Sequence, residues 1–452
     1  MNQNNNKPQE PQQTPARQWL AAFNIWANAR DVFVRPPQRL PQIDGVRAFS
    51  ILYVLVFHGL IALVVLLKPD ERSIRFLQFV QDTPWYFQWV LMGDRGVDAF
   101  FVISGFLIGQ LLFQEFNKTG TIDLKRFFMR RWLRLTPVYF LVIALFAVLA
   151  GPGIIDSLVQ QQGLSEAQAQ WRFWGAMAAY VTYLNNFLPF EQGYYIPFAW
   201  SLAVEEQFYI LFSLFMAFVY VRIRHRLRFL LGLYLLSFVI RWLLFYCNPH
   251  LLVTGDVLLA GGKDIVAAYW ELIYGNLYSR FGAIMPGIVL AWLSVYRWPA
   301  VQQWMTVRRS NMLVLLALAT LLVLTVMPVY SGQPLPLWLS YLFHVGHRNL
   351  FALALAALIL AALFPYGLGG LLGRLLSLRL FFPVSQLSYS IYLVHLPVLV
   401  LCALLLKALG VVDGLAYGPM FVVLALALPL IIAVSLLLYV LVERPFMKLR
   451  RG

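Results

Sequence analysis

The sequence predicts an all-α polytopic membrane protein of about ten transmembrane helices, with both termini in the cytoplasm. Three observations carry that prediction. Of 452 residues, 61% are hydrophobic and 12% charged, and the mean hydropathy is +0.71. Soluble domains sit near half apolar. Apolar runs of membrane-spanning length recur from Val46 to Val442. Arginines and lysines gather in alternate connections, as the positive-inside bias requires.

Taken in order, the first fifteen residues, MNQNNNKPQEPQQTP, hold too few apolar groups to fold and read as disordered. Then Trp19, Leu20, Phe23 and Trp26 share one helical face, with Arg17 and Arg30 at the ends. That is the pattern of a short helix lying on a membrane surface. Residues 1–40 thus form a cytoplasmic tail with an interfacial helix, 41–445 a transmembrane domain, and 446–452 a basic cytoplasmic tail. Hydropathy places the spans at 46–67, 92–113, 133–150, 200–221, 228–246, 281–296, 311–329, 348–365, 381–406 and 419–442. Pro397 lies inside the ninth, where proline kinks a helix. No apolar leader core precedes the first span, so that span is expected to direct insertion.

The net charge of +15 would suggest nucleic acid in a soluble chain. Here the basic residues fall in the N-terminal segment, after spans two, four, six and eight, and at the C-terminus. All share one side only if the span count is even. The expected partner is the bilayer, not nucleic acid. Two connections on the other side are long, 151–199 and 247–280, and loops of that length are uncommon unless they do something. Cys247 and Cys402 lie far apart in sequence and make no disulfide framework. No metal-ligand spacing, glycine-rich phosphate loop or nucleophile elbow occurs, so no metal and no permanently bound cofactor are expected.

Ionisable residues inside apolar spans are costly and are functional by default. In IDGVRAFSILYVLVFHG, Arg47 and His58 are eleven residues apart. They differ by only about 20° around a helix and by about 16 Å along it. Arg47 sits at the cytoplasmic mouth, where it could equally be a topological anchor. His58 lies toward the outer leaflet, where it could instead be a packing hydrogen-bonder. In span two, Arg95 and Asp98 lie within one turn near the outer surface and can pair with each other, while Gly105 and Gly109 allow another helix to approach. Arg126, Arg130 and Arg134 form one stripe entering span three, with Arg131 to the side. A stripe of guanidinium forks suits phosphate, on a ligand or on a lipid headgroup. In span four, Glu205 and Glu206 stand about 100° apart. Glu205 shares a polar stripe with Ser201 and Tyr209 at the depth of His58, where a carboxylate can fix the tautomer of an imidazole. Ser388, Ser390, Tyr392 and His395 make span nine polar, and His395 is either a second site histidine or a core hydrogen-bonder. His344 and His347 are expected to be solvated in an outer loop. With no nucleophile elbow, an imidazole is the best base, or the nucleophile.

These pieces together resemble acyltransferase family 3 of bacterial inner-membrane proteins. The likeness rests on Arg47 with ten residues before His58, GVDAFFVISGF at 96–106, RRWLRLTPVY at 130–139, WSLAVEEQFY at 200–209 and LSYSIYLVHLP at 387–397. It spans about 43–445. The resemblance implies transfer of an acyl group, usually acetyl, from cytoplasmic acyl-coenzyme A to a hydroxyl of a glycan or glycolipid. It implies that Arg47 and His58 are the family's arginine–histidine pair and that Arg130, Arg131 and Arg134 serve the donor. The esterase-like domain fused to some members is not seen, so a separate periplasmic transferase or export machinery is the expected partner for any finishing step. In this reading His58 is the general base, or carries the acyl group, oriented by Glu205 or Asp98, with Arg95, Glu206, Ser390, Tyr392 and His395 as additional site residues. The competing classes are a proton-coupled transporter of a small polar substrate, disfavoured by the lack of inverted halves with broken helices, and a flippase-like scaffold.

Overall fold

The computed structural model describes residues 19, 21–37, 39–68, 71–190, 195–252, 262–326 and 336–449. Ten of its helices are long and apolar enough to cross a membrane. With a surface helix, α1 (Ile25–Arg30), they are α2 (Pro41–Val65), α3 (Arg95–Thr119), α4 (Leu124–Gln162), then a non-spanning α5 (Glu166–Val181), α6 (Ala199–Phe218), α7 (Arg226–Cys247), α8 (Leu277–Tyr296), α9 (Val307–Val326), α10 (Leu337–Ala362), α11 (Phe381–Ala408) and α12 (Tyr417–Leu438). The last continues through a π turn, Tyr439–Glu443, into Arg444–Leu449. No strand occurs among the described residues. The chain is a multi-pass membrane protein.

Local chemistry sets the helix ends. Proline opens α2, where its missing N–H costs nothing, and Asp44 follows in the first turn beside the positive end of the helix dipole. Asp123 caps α4 and Ser165 caps α5 through a capping box with Gln168. α4, at 39 residues, is about 58 Å long, nearly twice the apolar thickness of a bilayer. Its arginine-rich entry had cut the expected span short. α11 runs unbroken through Pro397.

Interior packing is closest between α3 and α8. A Cβ on Gly287 would overlap the Val102 carbonyl, and one on Gly105 would overlap the Ile284 carbonyl. The glycine pattern of span two therefore serves close helix approach, as expected. α2 packs along α11, and α11 along α12. α1 folds back onto the C-terminal end: Asn28 donates to the Val440 carbonyl at 3.1 Å, and Asp31 pairs with Arg444 at 2.8 Å. The two chain ends therefore share one face of the bundle. Residues 1–18, Leu20, Gln38 and 450–452, about half of the two tails, lie outside the described residues.

One span was misplaced by the sequence reading. α10 begins at Leu337, eleven residues before the expected start, and encloses both His344 and His347, which are buried. They are not solvated. Ser340, His344, His347 and Arg348 depress the local hydropathy, yet their polar groups find partners inside the bundle. His344 Nδ1 donates to the Ser340 carbonyl at 2.8 Å and His347 Nδ1 to the Phe343 carbonyl at 2.9 Å.

Candidate active site

Two cavities lie along the axis of the bundle. The first, of about 500 Å³, opens at the basic face. Arg47 reaches it from α2, Arg130, Arg131 and Arg134 from α4, Glu205 and Tyr209 from α6, and Glu443 from the π turn. Arg131 Nε pairs with Glu206 Oε1 at 3.2 Å and its guanidinium lies over the Tyr209 ring at 3.1 Å. Glu205 is held on both oxygens, by Ser104 Oγ and Tyr209 Oη, each at 2.9 Å. Arg47, Arg130 and Arg134 make no ion pair or hydrogen bond among the described residues. They are half-buried cations facing an opening. The expected stripe is only partly right: Arg126 is exposed and does not line the cavity, whereas Arg131 does.

The second cavity, of about 1310 Å³, lies toward the opposite face and has mostly apolar walls. His58 lines it, with Asp94, Arg95, Tyr274, His347 and Arg348. The two cavities adjoin, because Val97 and Tyr392 line both. Tyr392 is fixed at that neck: its hydroxyl is 2.6 Å from Ser201 Oγ and 3.1 Å from the Phe198 carbonyl. Ser390 lies one residue pair away on α11 but turns elsewhere, donating to Glu443 Oε2 at 2.8 Å.

No carboxylate bonds His58. Glu205 is engaged by Ser104 and Tyr209, and Asp98 by two arginines. The residue that meets His58 is His395, with Nε2 at 3.1 Å from His58 Nδ1. The neighbours determine the protons. His395 Nδ1 is 2.7 Å from the Tyr392 carbonyl, which only accepts, so Nδ1 carries the hydrogen and Nε2 a lone pair. His58 Nδ1 is 3.1 Å from the Val54 carbonyl, so it too carries its hydrogen and shares it with His395. The neutral pair therefore leaves a lone pair on His58 Nε2, in the tautomer that a base or nucleophile needs.

Beside this pair is a buried charge network that the sequence did not reveal. Asp98 accepts from Arg280 Nη2 and Arg348 Nη1, each at 2.7 Å, and Arg348 Nη2 donates to Asp94 at 2.6 Å. Asp98 and Arg95 had been read as a possible pair; the oxygens of Asp98 go to α8 and α10 instead. Arg241, also buried, donates to the carbonyls of Val345, Ser279 and His344. Burial pushes the Asp94 carboxyl up, but Arg348, Arg95 and Arg280 outweigh it and hold the group below its ordinary value. Gly93 places this cluster against α2, since a Cβ there would collide with the Phe57 side chain next to His58. The available signal was arginine at the poorly basic ends of spans six and eight, against the charge bias. Glu443, also missed, is a carboxylate at the end of the π turn that continues the most apolar of the spanning helices.

An acyltransferase-domain family model matches residues 40–440. The chain belongs to acyltransferase family 3. It is 27% identical over 372 residues to O-acetyltransferase OatA of Staphylococcus aureus, covering 80% of this chain and 51% of that protein. It is 24% identical over 420 residues to Nose resistant to fluoxetine protein 6 of Caenorhabditis elegans, covering 84% of this chain and 48% of that one. The chain thus spans about half the length of these relatives. No solved structure matches it.

Proposed function

We propose that the protein is an O-acyltransferase of a bacterial inner membrane. It moves an acyl group, acetyl in the first instance, from cytoplasmic acyl-coenzyme A to a hydroxyl of a periplasmic or surface-destined glycan or glycolipid. One observation carries this reading: a cavity that Arg47, Arg130 and Arg134 enter without a carboxylate partner among the described residues adjoins, at Val97 and Tyr392, a second cavity lined by a histidine. Guanidinium forks bind phosphate oxygens in pairs, so Arg47, Arg130 and Arg134 suit the phosphates of the donor. Its thioester arm would pass Tyr392 toward His58. The acetyltransferase name of the bacterial relative agrees with this.

His58 Nε2 takes the proton of the acceptor hydroxyl as its oxygen attacks the thioester carbonyl. The tetrahedral adduct collapses, the C–S bond breaks, and the imidazolium returns the proton to the departing thiolate. Through Nδ1, the His395 lone pair supports the positive charge that His58 carries in between. General-base help of this kind is worth about 100- to 10,000-fold.

The test is acyl transfer by the purified full chain in lipid vesicles, followed with labelled acetyl-coenzyme A. His58→Ala should cut transfer at least about 100-fold while insertion and thermal unfolding stay near wild type. Wild-type transfer by that variant would overturn the assignment. So would uptake of a labelled polar substrate into vesicles with no donor consumed, which is the behaviour of a transporter.

A further inference from the structure

The end of the last spanning helix shows two neighbouring faces to different surroundings. Tyr439, Glu443 and Met447 line the basic cavity. Val440, Arg444 and Lys448, each the next residue along, meet α1 and the turn after it instead. The Asn28 side-chain amide, buried on α1, donates to the Val440 carbonyl at 3.1 Å and to the Ala22 carbonyl at 3.0 Å. Asp31 pairs with Arg444 at 2.8 Å and with Lys448 at 3.3 Å. Tyr439 and Glu443 are also bonded from α11, by Gln386 and Ser390. Met447 lies beyond those two, in the turn that Asp31 grips at Arg444 and Lys448. α1 therefore stands directly behind one wall of the basic cavity.

The other side of α1 is bare. Trp26 is 86% exposed, and Trp19, Ile25, Phe33 and Val34 are exposed with it. Such a cluster of aromatic and aliphatic groups marks an interaction surface, and its level in the bundle says with what. α1 bonds Val440, and Leu437 and Leu441 on either side of that residue are exposed leucines at the end of a spanning helix. On α4, Trp132 is exposed next to Arg131, which reaches the basic cavity. Tryptophans where spans leave the hydrocarbon core are interfacial anchors. Arg30, exposed at the end of α1, suits the phosphates of lipid headgroups.

We propose that α1 seats on the headgroup layer at the basic face, with the lipid surface itself as its partner, and from that seat braces the C-terminal wall of the basic cavity. Under the acyltransferase reading, on which this consequence rests, the shape of the donor site then depends on α1 lying on the bilayer.

The test uses no acyl donor, so it stands or falls separately from the transfer assay. The full chain, with Cys247→Ser and Cys402→Ser, would be placed in vesicles of phosphatidylcholine and phosphatidylglycerol. One nitroxide label at Ile25→Cys reads depth by collision with oxygen, which favours lipid, and with a water-soluble nickel complex. A second, at Met447→Cys in a separate protein, reads the mobility of the cavity wall. The Ile25 label should be reached by oxygen and shielded from nickel. The Met447 label should be ordered, and should become mobile both in Asp31→Asn, which cuts the brace, and in Trp26→Asp, which lifts the anchor. Thermal unfolding should barely change in either variant. Free access of nickel to the Ile25 label would place α1 in water and overturn the proposal. Shielding from both reagents would put a protein there, such as a second copy of the chain, and would overturn it too. A Met447 label whose mobility is unchanged in either variant would show that the anchor does not brace the wall.

Discussion

The two cavities hold charge in opposite ways. In the basic cavity Arg47, Arg130 and Arg134 are half-buried and unpaired, and they face an opening. In the apolar cavity the charges are buried and cross-linked, with Asp98 tying α3 to both α8 and α10. The difference separates two uses of arginine. A cation that water can reach waits for a ligand at little cost to the fold. One sealed in the bundle must be met by carboxylates or carbonyls, and in meeting them it fastens helices together. In the proposed reading the basic cavity is the recognition surface, and the network beside His58 is scaffold first.

The sharpest way to break that comparison is Asp98→Ala. Removing one partner of a buried ion pair strands the others, at a cost of about 3–5 kcal/mol. Thermal unfolding should record a large loss, with little folded protein recovered. A variant of normal stability would show that the network is not a scaffold. The complementary experiment is Arg130→Ala with Arg134→Ala. Each charged hydrogen bond to phosphate is worth about 1.5–3 kcal/mol, so KM for acyl-coenzyme A should rise at least about 100-fold while thermal stability barely changes. The effect should shrink at high salt. A fall in stability with KM unchanged would put these arginines in the scaffold class.

A smaller effect sharpens the picture at the neck. In the proposed reaction His395 touches His58 and no substrate atom, so it acts there as a positioning residue. His395→Ala should lower kcat by roughly tenfold with KM unchanged, within the range of acid–base assistance. His395→Gln, which can offer an oxygen lone pair to His58 Nδ1, should recover part of it. Equal damage from both variants would mean that His395 acts only by filling space.

How much of this was legible follows from what a helix pattern encodes. Spacing along one helix is fixed by the chain, so Arg47 and His58 on one face of α2 could be read directly. The ten spans were legible because apolar length is a property of composition. What failed was whatever depends on the rotation of one helix against another. Glu205 was expected at the depth of His58, yet α6 places it in the basic cavity, against Ser104 of α3. Arg126 shares the stripe of Arg130 but lies a turn too near the end of α4 to reach the cavity. The start of α10 was hidden because Ser340, His344, His347 and Arg348 look like loop residues until their buried partners are known. Glu443 follows directly on the expected last span, and the π turn that continues α12 carries it into the basic cavity.

The smallest expected effect concerns acid. Asp94 lies just before α3, where Arg348 holds its carboxyl below the ordinary value. A carboxyl held down in the folded state contributes stability that is fully present above its unfolded value, near 3.8, and is lost as the pH falls through the folded one. The bundle should therefore keep this contribution across the neutral range and lose it only in strong acid, below the ordinary titration of aspartate. Asp94→Asn should lower stability at neutral pH and flatten its acid limb. Thermal unfolding from pH 7 down to 3 would measure both. Asp98 has two arginine partners and remains in the variant, so the loss should be smaller than for Asp98→Ala. If Asp94→Asn proved the more damaging, the keystone of the scaffold would be the Arg348–Asp94 contact at the cavity wall, and the line drawn between a sealed network and an open rim would have to move inward to Asp98 alone.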